Sequence, residues 1–510
     1  MLDRSESLLA IDVGTTALKC ALYSGDGKEI ASVTEEYDLT KPQLGWVEVD
    51  CETYWSALKK SLNDLWSCPN VSSRSVKALA FSAQGETIVP VGKDGRPLRR
   101  AIVWLDNRAH AEAEELKSKF EAQHFYEVTG QPEMLATWPA AKILWITRHE
   151  PEVAAATSKY LLIEDYLLFR LSGEYVTEGS LATSTGYWNF RGKTWWPAML
   201  HAIGIREDQL PTLVESGTRI GNIRIAIADE LGLPKTTAIC TGALDQACAA
   251  IGAGNVWSGG FSESTGAAVA LCVTLSEATL DPSREIPCHY HGIPNTYMLH
   301  TFTSGGIVLR WFRDEFCSSP WRDVDGLKAL SYDELGLLAG DTAPGADGLV
   351  MLPHLQGAMA PENNAAATGV LLGMTLQHTR GHVVRAIMES IAFIVRRNVE
   401  VMENIGQPIS NVRAVGGGAR SPLWKQIEAD VLKVPIITMR QPDAAALGAA
   451  ILAGVAIGRW SNVQEAAEAT VIEDVVYEPN KEFAALYDDR YETYRELYSA
   501  VLPTYERMSA

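Results

Sequence analysis

No CxxC pair occurs in the 510 residues, and the eight cysteines (20, 51, 68, 240, 248, 272, 288 and 317) mostly sit in apolar segments such as ALCV. A free thiol there is a small core residue, so no disulfide framework is expected. The tight group Cys288, His289 and His291 lacks a second ligand pair at finger spacing, which argues against a zinc site. Positive charge is also scarce. The 44 Lys+Arg stand against 63 Asp+Glu, a net charge of −19, which disfavours long contacts with nucleic-acid backbones or anionic bilayers. No apolar run reaches the ~20 residues needed to span a membrane. The longest, Ala444 to Gly458, is rich in Ala and Gly and predicts a buried helix. The opening MLDRSESLLAIDVG carries Asp3 and no apolar stretch of signal length, so no secretory peptide is expected. From these absences a soluble cytoplasmic protein is expected, with no nucleic-acid and no membrane partner.

What is present is an ordinary globular composition, 47% hydrophobic, in a chain long enough for two domains of roughly 250 residues. Leu8 to Ile11 ends in Asp12 and is followed by Gly14-Thr15-Thr16 and a second apolar run through Tyr23: strand, tight turn, return strand. Apolar residues at 54, 55, 58, 62, 65 and 66, behind Asp50 as N-cap, predict a helix. VKALAFSAQ then predicts a buried strand ending in polar residues, where ligands usually lie in an α/β sheet. The segment FSESTGAAVALCV at 261–273 repeats the small-hydroxyl and glycine turn about 250 residues later. Two such turns point either to a duplicated architecture or to chance likeness between common turns.

Nucleotide motifs narrow the chemistry. Gly192-Lys193-Thr194 has five residues between Gly186 and Gly192 where a P-loop has four, and reads as a surface turn. GAGNVW at 252–257 lacks the last glycine of a dinucleotide fingerprint, and GGGARS at 416–421 has Ser421 in its place. DVGTT is a different device: amides of a tight Gly-Thr-Thr turn can surround phosphate oxygens. Asp12 at the strand end can hold a hydrated Mg²⁺, and Lys19 can add positive charge near a terminal phosphate.

DVGTTALK at 12–19, GWVE at 45–48, Asp245-Gln246, GGGARSPLW at 416–424 and ALGAAILAG at 446–454 occur in an order that resembles the FGGY family of carbohydrate kinases. The resemblance is strongest over Gly369, Leu371, Gly373, Met374, His382, Val383, Ala386, Ile387, Met388 and Glu389. A second family signature is nearly met by Pro139, Lys142, Ile143 and Trp145, with Thr137 where another small or aromatic residue is usual. The likeness implies an α/β fold of two duplicated actin-like, ribonuclease H-like domains facing a central cleft. It assigns 1–250 to sugar and phosphate and 251–510 to nucleotide. It also implies ATP and Mg²⁺ as cofactors and a small sugar or polyol as substrate.

Residue by residue, the resemblance makes Asp245 the general base, a role compatible with capping the helix that follows it. Around it, Gln84, Glu86, Trp104, Asp106, Arg108 and Gln246 are expected to bind substrate, with Asn107 in the same loop. Trp104 is alternatively core, and Arg108 alternatively a surface ion-pair residue. Glu86 and Gln246 match positions that hold substrate hydroxyls in glycerol kinases, whereas xylulose kinases usually carry Met-His at Gly85-Glu86. Gly14, Thr15, Thr16 and Lys19 form the first phosphate turn with the metal residue Asp12. Ser264, Thr265 and Gly266 form the second, with Ala267 where many relatives have threonine. Gly305 and Gly306 are expected to line the nucleotide cleft, and Gly416, Gly417 and Gly418 the adenine platform. The expected reaction is ATP-dependent phosphorylation of a ketopentose such as xylulose. A glycerol or polyol kinase and a non-catalytic regulator of the same fold are the alternatives. The amphipathic stretch Phe483 to Met508 packs either on the body of the chain or on a partner subunit in a homodimer.

Overall fold

The computed structural model describes residues 6–317, 330–441 and 443–509. The chain divides into two compact units, Met1–Ser258 with Thr274–Met298 and Asp443–Val471, and Gly259–Val273 with Leu299–Pro442 and Ile472–Ala510. Each is built on one mixed sheet.

The sheet of the first unit contains β1 (Ser7–Val13), β2 (Ala17–Ser24), β3 (Glu29–Glu36), β4 (Val76–Ala83), β5 (Arg219–Asn222), β6 (Ala238–Cys240) and β7 (Ala243–Leu244). Its order is β5-β6-β4-β1-β2-β3, with β7 also on β4. β1 and β2 form the expected antiparallel hairpin, and β4 runs parallel to β1. β1 is buried over nearly its whole length, as befits a central strand covered on both faces. The predicted helix forms over Cys51–Trp66. Asp50 caps it by accepting from Glu52 N at 3.0 Å, and Tyr54, Leu58, Leu62 and Leu65 bury its apolar face. The Ala/Gly-rich run becomes the buried helix Ala444–Ala456, packed on the helix Asp245–Gly252 and across β1 and β4. A Cβ on Gly448 would stand 2.0 Å from Cys248 O, so only glycine permits that approach. Among the described residues, no helix is long and apolar enough to cross a membrane.

The second unit repeats the plan with β8 (Phe261–Thr265), β9 (Ala268–Leu275), β10 (Tyr297–Ser304), β11 (Val412–Val415), β12 (Ile436–Met439) and β13 (Glu473–Tyr477), in the order β10-β9-β8-β11-β12-β13. β8 pairs antiparallel with β9 and parallel with β11, as β1 does with β2 and β4. Strand order and direction therefore match those of the first sheet, and the repeated turns mark a duplicated α/β architecture rather than chance likeness. The C-terminal stretch forms the helix Ala484–Ser509 and packs on the body of its own unit, with Tyr487, Tyr491 and Tyr494 against Phe393. The Gly192-Lys193-Thr194 segment closes a short hairpin between Trp188–Asn189 and Thr194–Trp195.

Candidate active site

In the first unit, strand register brings three expected residues, Asp12, Lys19 and Asp245, to one edge together with Ser82. Asp12 on β1 lies opposite Lys19 on β2 and Ser82 on β4, and Ser82 in turn opposes Ala243 on β7, two residues before Asp245. Side chains of directly opposed residues share a face of the sheet. The parallel strands β1, β4 and β7 thus present their carboxyl ends together, where ligands bind in open α/β sheets. The Ser82 hydroxyl donates to Asp12 Oδ1 at 2.7 Å. Burial pushes the Asp12 carboxyl up to about 7, opposed by Ser82 and Lys19 and reinforced by the charges of Asp443 and Asp245. Gly14 closes the hairpin by donating to Ala17 O at 3.0 Å, and Tyr37 Oη donates to Gly14 O at 2.6 Å. Thr16 is exposed and Thr15 partly so.

Lys19 has a partner that the sequence did not show. Its ammonium is paired with Asp443, the N-cap of the helix Ala444–Ala456, rather than left unpaired for a phosphate. The signal was visible as an acid directly before an Ala-rich helical run, but its partner lies 424 residues away.

Asp245 is the first residue of the helix Asp245–Gly252, with Leu244 in the cap position. Its Oδ1 accepts from Gln246 N at 2.7 Å, and the Gln246 side chain also hydrogen-bonds to it. Burial pushes Asp245 up to about 7; the Gln246 amide pulls down and the Glu86 charge pushes further up. A carboxyl poised there can accept a proton near neutral pH. Glu86 adopts φ 56°, a left-handed conformation that costs a non-glycine residue energy and turns the chain sharply after β4. Burial raises its pKa, with Ser184 and Lys142 opposing.

The remaining residues expected at the substrate divide. Trp104 is partly buried, its Nε1 donating to Thr15 Oγ1 at 2.8 Å and its main-chain N to Thr87 Oγ1 at 3.2 Å, so it ties the phosphate turn to the Glu86 turn. Gln84 is buried, with Nε2 donating to Tyr54 Oη at 3.1 Å and Oε1 without a hydrogen-bond partner. Asn107 is exposed and donates its main-chain N–H to Gly45 O at 2.8 Å. Asp106 is fully buried and accepts from Val47 N, Arg108 N and the Arg108 guanidinium, which makes it a bracket for the 46–48 segment. Arg108 is an ion-pair residue, but a buried one: it also pairs with Glu48 at 2.8 Å and lies 3.9 Å over the Trp46 ring. Its Nη1 has no hydrogen-bond partner.

The second unit carries the other expected turn. Gly266 N donates to Ala268 O at 2.8 Å, and Gly306 N donates to Gly266 O at 3.0 Å, seating the helix Gly306–Phe316 on the turn. Gly305 is buried directly before it and Ser264 is partly buried on β8. Parallel pairing of Ser264 with Val415 sets Gly416–Gly418 beside Thr265. Gly416 has φ 83°, and a Cβ there would meet Thr265 O at 2.7 Å; one on Gly418 would meet Thr265 Cγ2 at 2.3 Å. Below the turn, the buried Lys425 pairs with Glu263 at 2.7 Å and with Glu428, joining β8 to the helix Pro422–Leu432.

Several contributors carried no role in the sequence reading. Lys142 stood only in the near-met signature, Asp443 hid in a helix cap, and the hydroxyl-rich EGSLATST at 178–185 matched no motif. Among the described residues, no group of three or more His, Cys, Asp or Glu is placed to hold a metal ion.

Comparison with known proteins agrees with this geometry. The model of the N-terminal domain of the FGGY family of carbohydrate kinases matches residues 7–252, and that of the C-terminal domain matches 266–457. The chain is 31% identical over 495 residues to the xylulose kinase of Staphylococcus epidermidis, covering 97% of this chain and 96% of that one. It is 29% identical over 453 residues to the gluconokinase of Bacillus subtilis, covering 89% and 88%. The crystal structure of ligand-bound xylulose kinase from Lactobacillus acidophilus superposes with a TM-score of 0.89 at 28% identity, over 99% of this chain and 100% of that one. The chain is a sugar kinase that belongs to the FGGY family of carbohydrate kinases.

Proposed function

We propose that this kinase transfers the γ-phosphoryl group of ATP to a hydroxyl of a neutral ketose, a ketopentose such as xylulose, with Asp245 as general base. Asp245 orients the attacking hydroxyl and takes its proton as the bond to phosphorus forms. Gln246 holds the carboxylate, and Glu86, Trp104 and Gln84 line the sugar side, with the free Gln84 Oε1 and Arg108 Nη1 available for hydroxyls. Gly14, Thr15 and Thr16 offer amides and hydroxyls to phosphate in the 1–250 half. Ser264 to Gly266, Gly305, Gly306 and Gly416 to Gly418 do so for the nucleotide in the 251–510 half.

Mg²⁺ fits Asp12. The ion is usually held by one or two carboxylates, with waters and substrate phosphates completing its shell. Of the Asp12 oxygens, Oδ1 takes the Ser82 bond, and the acids around it leave excess negative charge that a divalent ion offsets. When bound with ATP, the ion neutralises charge on the phosphates.

The observation that carries the choice of a neutral sugar is the charge of Glu86, which pushes the buried Asp245 carboxyl further up. An aldonate such as gluconate would add a third carboxylate beside them. Two buried cations of this half already have partners, Lys142 in main-chain carbonyls and Arg108 in the Asp106 and Glu48 carboxylates. A like charge at ~5 Å costs roughly 3 kcal/mol at an effective dielectric of ~20. The 31% identity to a xylulose kinase supports the same choice. The Glu86 and Gln246 pair favours glycerol or another polyol as the second reading.

The test is ADP release with xylulose, ribulose, glycerol and gluconate, with Asp245→Asn as control. The highest kcat/KM is expected for a ketopentose. A higher value for gluconate overturns the neutral-sugar reading, and one for glycerol replaces the ketopentose.

A further inference from the structure

Glu178 to Thr185 is buried throughout and lies under the substrate-side carboxylates. The Glu178 carboxylate accepts four hydrogen bonds: from Ser180 N, Ser180 Oγ and Leu181 N at 2.7 Å each, and from Ser216 Oγ at 2.5 Å. Because its proton is committed to Glu178, the Ser180 hydroxyl presents a lone pair, and it accepts from Leu244 N at 2.8 Å. Leu244 is the residue before Asp245. Two residues earlier, Gly242 N donates to Glu164 at 2.7 Å, and a Cβ on Gly242 would stand 1.6 Å from Phe81 O. The strand that delivers the base is therefore held from below and pressed on β4, with no slack.

The other end of the segment reaches the sugar side. The Ser184 hydroxyl stands beside the Glu86 turn and opposes the rise of the Glu86 pKa. A Cβ on Gly85 would meet Ser184 Oγ at 3.0 Å and Leu244 Cδ1 at 3.1 Å, so one short segment touches both the Glu86 turn and the Asp245 strand. Atoms of reacting groups must be held within a fraction of an ångström, and a misplacement of about 1 Å can cost about 100-fold in rate.

We propose that Ser180, fixed by Glu178, is a positioning residue for Asp245, and that Ser184 is one for Glu86, so that Glu178–Thr185 sets the spacing between the base and the sugar-binding carboxylate. The proposal rests on the reading of Asp245 as base. Neither serine touches the reacting atoms.

Ser180→Ala removes the relay hydroxyl and leaves the Leu244 N–H without an acceptor, at almost unchanged volume. In steady-state kinetics of the full chain, kcat with the preferred ketopentose is expected to fall about 10- to 100-fold. The KM for Mg·ATP stays within about twofold, since the nucleotide turns are untouched. Ser180→Thr, which restores the hydroxyl, regains most of the rate. Wild-type kcat in Ser180→Ala, with Asp245→Asn inactive, overturns the relay alone. Full activity in Asp245→Asn overturns the base, and with it the reason for a relay. Should Ser180→Ala not fold, Ser216→Ala removes one donor from Glu178 further out. It is expected to give a smaller loss of the same kind, and unchanged kcat there overturns the proposal.

Discussion

Lys142 Nζ, buried in the helix Pro139–His149, donates to the main-chain carbonyl of Glu86 at 3.0 Å and to that of Val103 at 2.9 Å. It thereby fastens together the two loops that carry Glu86 and Trp104. Burial pulls its pKa down to about 7, against the attraction of Glu86 and Asp106. Lys142→Met keeps the stem and removes the donor, leaving two carbonyls unpaired. We expect a loss of about 2–4 kcal/mol in denaturant unfolding. The sugar KM should rise at least tenfold more than the KM for ATP; equal rises would show a general loss of structure instead.

Asp245 offers opposite effects on rate and stability. Asp245→Asn is expected to lower kcat by about 10²- to 10⁴-fold, the usual worth of a positioned base. The folded-state pKa of about 7 lies above the ordinary aspartate value of 3.8, so between these values the folded chain binds more protons than the unfolded one. This carboxyl's favourable contribution is complete below about pH 4 and is lost as pH rises through about 7. Asparagine carries no such penalty. Because the carboxylate is only partly buried, solvent screening holds the gain in Asp245→Asn at pH 8 to about 1–2 kcal/mol, fading toward pH 4. Unfolding curves at the two pH values check the sign. An equal gain at both would place the cause elsewhere.

The Lys19–Asp443 pair sets the charge at the phosphate turn. Asp443→Asn preserves the helix cap, because asparagine caps as well as aspartate. It removes one negative charge that raises Asp12 and leaves Lys19 without its counter-charge. Asp12 is then expected to titrate below about 7, extending activity to lower pH. The KM for Mg·ATP should fall by about three- to tenfold. An acid limb unmoved in the pH profile of kcat/KM would separate Asp443 from the site.

Local devices were legible in the sequence and long-range ones were not. The Asp12 and Thr265 turns, the Asp50 cap and the strand-to-helix junction at Asp245 each depend on a few consecutive residues, so pattern alone located them. Asp106 and Arg108 were drawn to the substrate by their place in AIVWLDNRA. Tertiary contact with Trp46 and Glu48 also makes them a buried bracket, a role that only the folded chain reveals. The strongest family signature, Gly369 to Glu389, builds scaffold. A Cβ on Gly373 would meet Gly348 O at 2.5 Å, and Glu389 takes Gly345 N at 2.9 Å and Arg385 at 2.8 Å. That signature identified the family through residues that hold one another in place. EGSLATST escaped notice because the Ser180 hydroxyl accepts from the Leu244 main chain 64 residues later, and such a bond leaves no periodicity.

Trp104 gives an optical handle on the same site. Its indole N–H reaches Thr15 on the phosphate turn, while its main chain is held by Thr87, next to Glu86. On the proposed reading, a sugar seated on Glu86 and a phosphate seated on Thr15 would both press on this ring. Trp104→Phe keeps an aromatic face and removes the bond to Thr15, worth about 1 kcal/mol, so the two turns should lose part of their coupling. In the wild-type chain, saturating ketopentose should change intrinsic fluorescence and tighten binding of an ATP analogue; by linkage the analogue tightens sugar binding by the same factor. In Trp104→Phe the sugar-dependent fluorescence change should be largely lost, and the mutual tightening reduced to about a fifth of its wild-type value. Fourteen tryptophans contribute to the signal, so the difference between the two chains isolates Trp104. An unchanged sugar response in the variant would remove Trp104 from the substrate side and leave it as packing between the turns.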